Sequence, residues 1–138
     1  MEYNIFYQNL LLIPAITFFV TVLVKWIAVR VQTGKIDLIR SFWSGWMPSV
    51  HSSVVVSLTT AIAIKHEITS DLFAMALAFT MIIIYDAINV RFEAGLHASA
   101  INQHLWEKKF KESLGHLPSE AFAGSVLWIF IAFVLFYV

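Results

Sequence analysis

Trp46-Met47-Pro48-Ser49-Val50-His51-Ser52-Ser53 is a polar break between two strongly apolar segments. It sets a serine and a histidine two residues apart where a membrane helix should begin. Upstream, Leu10 to Val24 holds only Thr17 and Thr21 as polar residues, and Lys25 and Trp26-Ile27-Ala28-Val29 follow before Arg30. A segment from about Leu10 to Val31 thus has the ~20 residues needed to cross a hydrocarbon core of roughly 30 Å. Pro14 lies near its start, where a helix tolerates it. Downstream, a second segment runs from about Pro48 to Ile64, with Pro48 suited to the first helical position.

A third segment is expected from about Leu72 to Val90 and a fourth from Pro118 to Val138, with Pro118 again fitting a first helical turn. Between them, Ala94 to Ser113 mixes Leu96, Ile101, Leu105, Trp106 and Phe110 with many charges. This pattern suits an amphipathic interfacial helix or a helical extension of the third segment. Trp26, Trp43, Trp106 and Trp128 are expected at lipid contacts and interface belts.

Composition agrees with this pattern. The chain is 59% hydrophobic and 13% charged, against about 25% charged in a soluble domain, and its mean hydropathy is +0.78. Its 138 residues suffice for one domain, taken here as residues 1–138. The fold class expected is all-α: a polytopic membrane helix bundle of about four transmembrane helices plus an interfacial amphipathic helix. Net charge is zero, so no basic field points to nucleic acid. Without cysteine, thiolate metal sites are excluded. The first apolar run has no positively charged residues before it, so it reads as a permanent helix rather than a cleaved signal.

Four spans would gather the polar residues. Lys25 near the end of the first, Ser49 and His51 at the start of the second, Asp86 and Arg91 at the end of the third, and His116 and Glu120 at the start of the fourth fall at one membrane face. Ionisable residues at membrane depth are costly and usually mark function. Of nine Lys and Arg residues, only Lys65 falls on the opposite side. The positive-inside rule then puts the polar face in the cytoplasm of an inner or plasma membrane.

Helix N-termini offer free N–H groups and a positive dipole end to anions. Two open on this face, near Ser49 and Ser119. Lys25 and Arg91 would add a point charge and a planar fork suited to a phosphate. Two histidines can divide nucleophile and acid roles. Glu120, one helical turn from His116, can fix the imidazole tautomer. Each residue also has a plainer reading: Ser49 as a helix cap, Lys25 as a snorkelling lysine, Arg91 as a membrane anchor, Glu120 as a first-turn carboxylate. Asp86, Glu93 and His97 share a helical face and read as a salt-bridge network with Arg91 or the Lys108–Lys111 cluster before a metal site.

The order Met47-Pro48-Ser49-Val50-His51-Ser52, Tyr85-Asp86-Ala87-Ile88-Asn89-Val90-Arg91, Glu93-Ala94-Gly95-Leu96-His97-Ala98, Ile101-Asn102 and Leu114-Gly115-His116-Leu117-Pro118-Ser119-Glu120 resembles the divergent branch of the type 2 phosphatidic acid phosphatase superfamily, which is related to vanadium haloperoxidases. The resemblance implies a membrane-embedded phosphatase acting on a lipid phosphate or pyrophosphate, of polyprenyl or glycerolipid type, without a metal ion or other cofactor. It implies His116 as nucleophile through a phosphohistidine, Glu120 as its orienting carboxylate and His51 as general acid. Lys25, Ser49 and Arg91 would bind phosphate oxygens, and Asp86 and Asn102 would lend support. The chain departs from the mainstream pattern at Val50, where a glycine is usual, and at Val90, where a serine is usual. Those departures keep open a catalytically weak protein that binds phospholipid headgroups or acts as a membrane scaffold. Expected partners are the lipid substrate and membrane lipids. A homodimer is also open, because the mainstream core has more helices than this chain.

Overall fold

The computed structural model describes residues 5–34 and 48–137, apart from the side chains of residues 32 and 33. The expected polar connection, with Lys35, Arg40, Trp43, Trp46 and Met47, lies outside the described residues. Among them all regular secondary structure is helical: α1 (Ile5–Gln8), α2 (Leu12–Thr33), α3 (Val50–His66), α4 (Asp71–Tyr85), a π-turn (Asp86–Val90), α5 (Arg91–Asn102) and α6 (Pro118–Tyr137).

Local chemistry explains the boundaries. Pro14 sits in the first turn of α2, where backbone N–H groups lack helical partners anyway. Gly34 ends α2 in the left-handed region, φ 68°, and its N–H donates to Arg30 O at 2.9 Å, which satisfies a terminal carbonyl. Ser49, in extended conformation, caps α3 by accepting from Ser52 N. Pro48 therefore lies ahead of the cap and is not the first helical residue as expected, because the serine can accept where proline has no side-chain acceptor. Ser70 caps α4 through Phe73 N at 3.2 Å. Pro118 opens α6, as expected.

α3 is central and packs against α2, α4 and α6. It buries Ser52, Ser53, Val56, Ser57, Thr59, Ala61 and Ile62; the serines, Thr59 and Ala61 are small residues that let neighbouring backbones approach closely where apolar solvent gives no hydrophobic drive. α2 buries Ile13, Thr17, Thr21, Lys25 and Val29, each four residues apart, a single row on one face. Lys25 is thus turned inward instead of snorkelling out. Trp128 is also 1% exposed, which corrects its expected lipid contact. It lies on the inward row of α6 with Ala121, Gly124 and Ala132, where small neighbours leave space for an indole.

Among the described residues, three helical runs are long and apolar enough to cross a membrane: Leu12–Val31, Asp71–Asn102 and Pro118–Tyr137. α3, the second of the four expected spans, has 17 residues, at the short end of the spanning range of about 17–25. Its inward polar residues follow from being enclosed by the others. Phe19, Leu23, Phe79, Met81, Ile82, Phe122 and Phe130 face outward, a lipid-facing surface that water would not tolerate. The protein is an integral membrane helix bundle.

The stretch from Ala94 takes the helical-extension form, and only to Asn102. No proline or cap interrupts residues 86–94, so α4, the π-turn and α5 form one run of 32 residues. At 1.5 Å per residue this is about 48 Å long, well beyond a ~30 Å core, so α5 projects past the membrane. α4 is peripheral and buries only Thr80. It is held to α3 by Thr59 Oγ1 and Thr80 Oγ1, 2.8 Å apart, with Thr80 Oγ1 also 3.3 Å from Val55 O. Such interhelical hydroxyl bonds contribute about 1 kcal/mol in membranes. Thr80→Val should lower stability by that amount in a denaturing-detergent titration, and Thr59→Val in addition should cost more, since it also removes the Thr59 Oγ1 bond to Ala76 O at 3.3 Å.

Candidate active site

The π-turn is where the site begins. Arg91 N–H donates to Asp86 O, five residues back, so the Ala87 carbonyl is released from the helix. It accepts instead from His116 N–H at 3.0 Å. A π-turn often marks a functional position for this reason: it presents a backbone group sideways.

The loop reaches Ala87 by lying along α5. At its far end, the buried Asn102 amide is fully engaged. Nδ2 donates to Phe110 O at 2.7 Å and Glu112 Oε1 at 2.9 Å, and Oδ1 accepts from Lys109 N and Phe110 N at 3.1 and 3.0 Å. Further along, the bare Cα of Gly95 admits the loop backbone, since a Cβ there would stand 2.6 Å from Glu112 O. Gly115, at φ +80°, approaches the helix backbone so closely that a Cβ would stand 2.7 Å from Phe92 Cα. Residues 109–116 thus form a strap running antiparallel to α5. The strap turns at Glu112–Leu114, where Leu114 N–H donates to Glu112 O at 3.0 Å, and it is pinned to the long helix at Asn102, Gly95, Gly115 and the Ala87 carbonyl.

This fixes His116, which is buried, at the mouth of α6. Its Nδ1 lies 3.4 Å from Glu120 Oε2, an electrostatic contact without hydrogen-bond alignment. The same Oε2 accepts from Leu117 N–H at 3.0 Å, the backward half of a capping box, which holds the carboxylate in place. Burial, with Lys25 and His51 acting in the same direction, holds the His116 imidazole below its ordinary pKa; Glu120 opposes this. His116 is therefore neutral at physiological pH, and below the free-histidine value of about 6.5 its protonation is disfavoured in the fold and subtracts from stability.

The other expected residues arrive from three helices. Lys25 of α2 is within electrostatic range of Glu120 and Lys111. His51, on the exposed first turn of α3, is within range of Arg91, Lys25 and Asp86. Ser49 is fully buried, and its Oγ accepts from Ser52 N at 3.4 Å and Ser52 Oγ at 3.2 Å. The capping role is realised, and among the described residues its own hydroxyl proton has no acceptor. Arg91 Nε bonds Asp86 Oδ2 at 2.6 Å, which leaves its terminal nitrogens their donors. Among the described residues no three His, Asp or Glu side chains converge as a metal-binding group.

A cleft of about 270 Å³ is lined by His116, Glu120, Phe92, Glu112 and Leu114 among others. Lys25, Ser49, His51 and Arg91 do not line it. The charged residues share a layer, and the cleft opens on one part of that layer. Asn102 stands at the far end of the strap, where it holds the loop instead of facing the charged layer. The sequence reading missed Gly95 and the close-approach role of Gly115; a glycine inside an otherwise helical stretch was the available signal.

Residues 6–131 match the family described as the Divergent PAP2 family. The chain belongs to that family. It is also similar to a membrane protein of Bacillus subtilis (strain 168) called uncharacterized membrane protein YuiD, with 35% identity covering 75% of this chain and 78% of the relative. No solved structure matches the chain. In this divergent PAP2 protein the strap is the element that sets His116, and Gly115 is its tightest contact. Gly115→Ala should destabilise the protein by about 1–3 kcal/mol from left-handed backbone strain, and the clash with the Phe92 backbone adds to this. Limited proteolysis should then cut first within residues 109–116.

Proposed function

We propose that this protein is a membrane-embedded phosphatase that hydrolyses a lipid phosphate or pyrophosphate through a phosphohistidine on His116. The observation that carries this reading is the 3.4 Å approach of His116 Nδ1 to a Glu120 carboxylate that is itself pinned by Leu117 N–H. With Nδ1 facing the carboxylate, Nε2 is the nitrogen free to attack, the division of labour that a triad uses. The lowered pKa keeps it unprotonated and nucleophilic.

In this mechanism Nε2 attacks phosphorus and the bond to the leaving alkoxide breaks. His51 gives that oxygen a proton and so releases the alcohol. Water then attacks the phosphohistidine, His51 takes the proton, and His116 is regenerated with release of phosphate. Lys25 and Arg91 neutralise the phosphate oxygens, and Ser49 donates its hydroxyl proton. The N-termini of α3 and α6 add their dipoles. The residues ask for no metal ion.

The second reading, a headgroup-binding protein with weak turnover, is favoured by the Arg91–Asp86 bond. Asp86 competes with a phosphate for the guanidinium, and Val50 and Val90 supply no further donors.

Purified protein in EDTA should release phosphate from lipid phosphates, and vanadate should inhibit this. His116→Ala should abolish release, and His51→Ala should lower kcat by about 10²- to 10⁴-fold. The acid limb of kcat/KM, from protonation of His116, should lie below pH 6.5. Release that survives His116→Ala would rule out the phosphohistidine. Binding of lipid phosphate without release would leave the headgroup reading.

We also place the charged layer on the cytoplasmic side, supported by the Lys and Arg asymmetry. His104→Cys, in a chain with no other cysteine, should resist a membrane-impermeant maleimide in intact cells and react after permeabilisation.

A further inference from the structure

His51 shares a helical face with Val55, Leu58 and Ile62, at steps of four, three and four residues. Those residues form one wall of an apolar groove of about 300 Å³ between α3 and α4; Met75, Ala76 and Phe79 belong to the opposite wall. Along α3 the groove begins about 6 Å below His51 and ends about 17 Å below it. Thr59 and Thr80 sit in its floor, but their hydroxyls bond each other at 2.8 Å, so the floor presents no unpaired polar group. On the outer side Met75 and Phe79 are more than half exposed, and the groove opens sideways toward lipid.

The two ends of this face differ in chemistry. At the top, His51 lies in the field of two cations, Arg91 and Lys25, and one carboxylate, Asp86, a net positive setting that suits an anion. Below, the lining holds no ionisable group. An occupant that satisfies both has one anionic end and one hydrocarbon end. We propose that the groove between α3 and α4 receives the hydrocarbon chain of a phosphorylated lipid whose phosphate is held in the layer at His51. This rests on the phosphatase reading above and deepens it. A soluble phosphate ester would use only the upper end. A second copy of this chain would cover Met75 and Phe79 but would gain nothing from the groove's alignment with His51.

Ala76 is the small residue of the α4 wall, so Ala76→Phe fills the groove from one side and Leu58→Trp from the other. With hexadecyl phosphate and para-nitrophenyl phosphate as substrates, each variant should lose about tenfold more kcat/KM on the long-chain ester, mainly through KM, a scale set by displaced apolar contacts. Equal losses on both esters, or none, would overturn the proposal. Turnover of para-nitrophenyl phosphate reports that each variant is folded. A second arm needs no turnover. A hexadecyl phosphonate carrying a diazirine on its chain should label peptides from both walls, and hexadecyl phosphonate should compete while hexadecanol does not. Labelling displaced equally by hexadecanol would mean ordinary bilayer contact and sink the idea, as would crosslinks joining two copies across the groove. Selective labelling without phosphate release would uphold the groove and remove the phosphatase reading.

Discussion

The hydrogen bond from His116 N–H to the Ala87 carbonyl ties together the parts of the molecule that matter most. It joins a loop to a helix whose own hydrogen-bond register has shifted to receive it. A buried carbonyl without a partner costs about 1–3 kcal/mol, so the π-turn and the strap stabilise each other. The glycines at 95 and 115 are the steric condition for that contact, and Asn102 is the polar lock at the far end. Remove the close approach and His116 loses its place against Glu120.

The helices and their ends were largely legible in the sequence. Unbroken apolar runs bounded by polar residues fixed α2 and α6 to within a few residues, and the four-residue spacing of His116 and Glu120 announced their contact. Pro48 misled, since the pattern for a proline at the first helical position ignored the stronger acceptor beside it. The extent of α5 was left between two alternatives, because amphipathic spacing is the same whether a helix lies on a membrane or projects from it. The π-turn had no local signature. Its cause is a donor 29 residues downstream, so no reading of residues 86–90 alone could have found it. Trp128 shows the same limit, since its burial depends on the small side chains of the bundle and not on its own segment.

The inward faces of α2 and α3 are more polar than their outward faces. Thr17, Thr21 and Lys25 on one helix and Ser49, Ser53 and Ser57 on the other are all buried, while phenylalanines and leucines face outward. This inversion of a soluble protein's pattern follows from the solvent. Hydrocarbon accepts apolar side chains without penalty, so the interior is where a hydroxyl can reach the carbonyl of a neighbouring helix, as Thr80 does with Val55 O and Thr59 with Ala76 O, each at 3.3 Å. Ser53 and Ser57 bond carbonyls of their own helix, and Thr17 and Thr21 have no hydrogen-bond partner among the described residues.

The close spacing of its anchor points makes the strap count its own residues. Between the lock at Asn102 and the carbonyl of Ala87, the loop meets the helix again at Gly95 and Gly115, so each short stretch is fastened at both ends. An insertion in residues 109–116 must buckle outward between fixed points, and a deletion must tear one of them free. In residues 103–108, which lie beyond the lock, length is free to vary. Two adjoining stretches of one loop are therefore under opposite rules for evolutionary change: one behaves as a ruler, the other as a spacer.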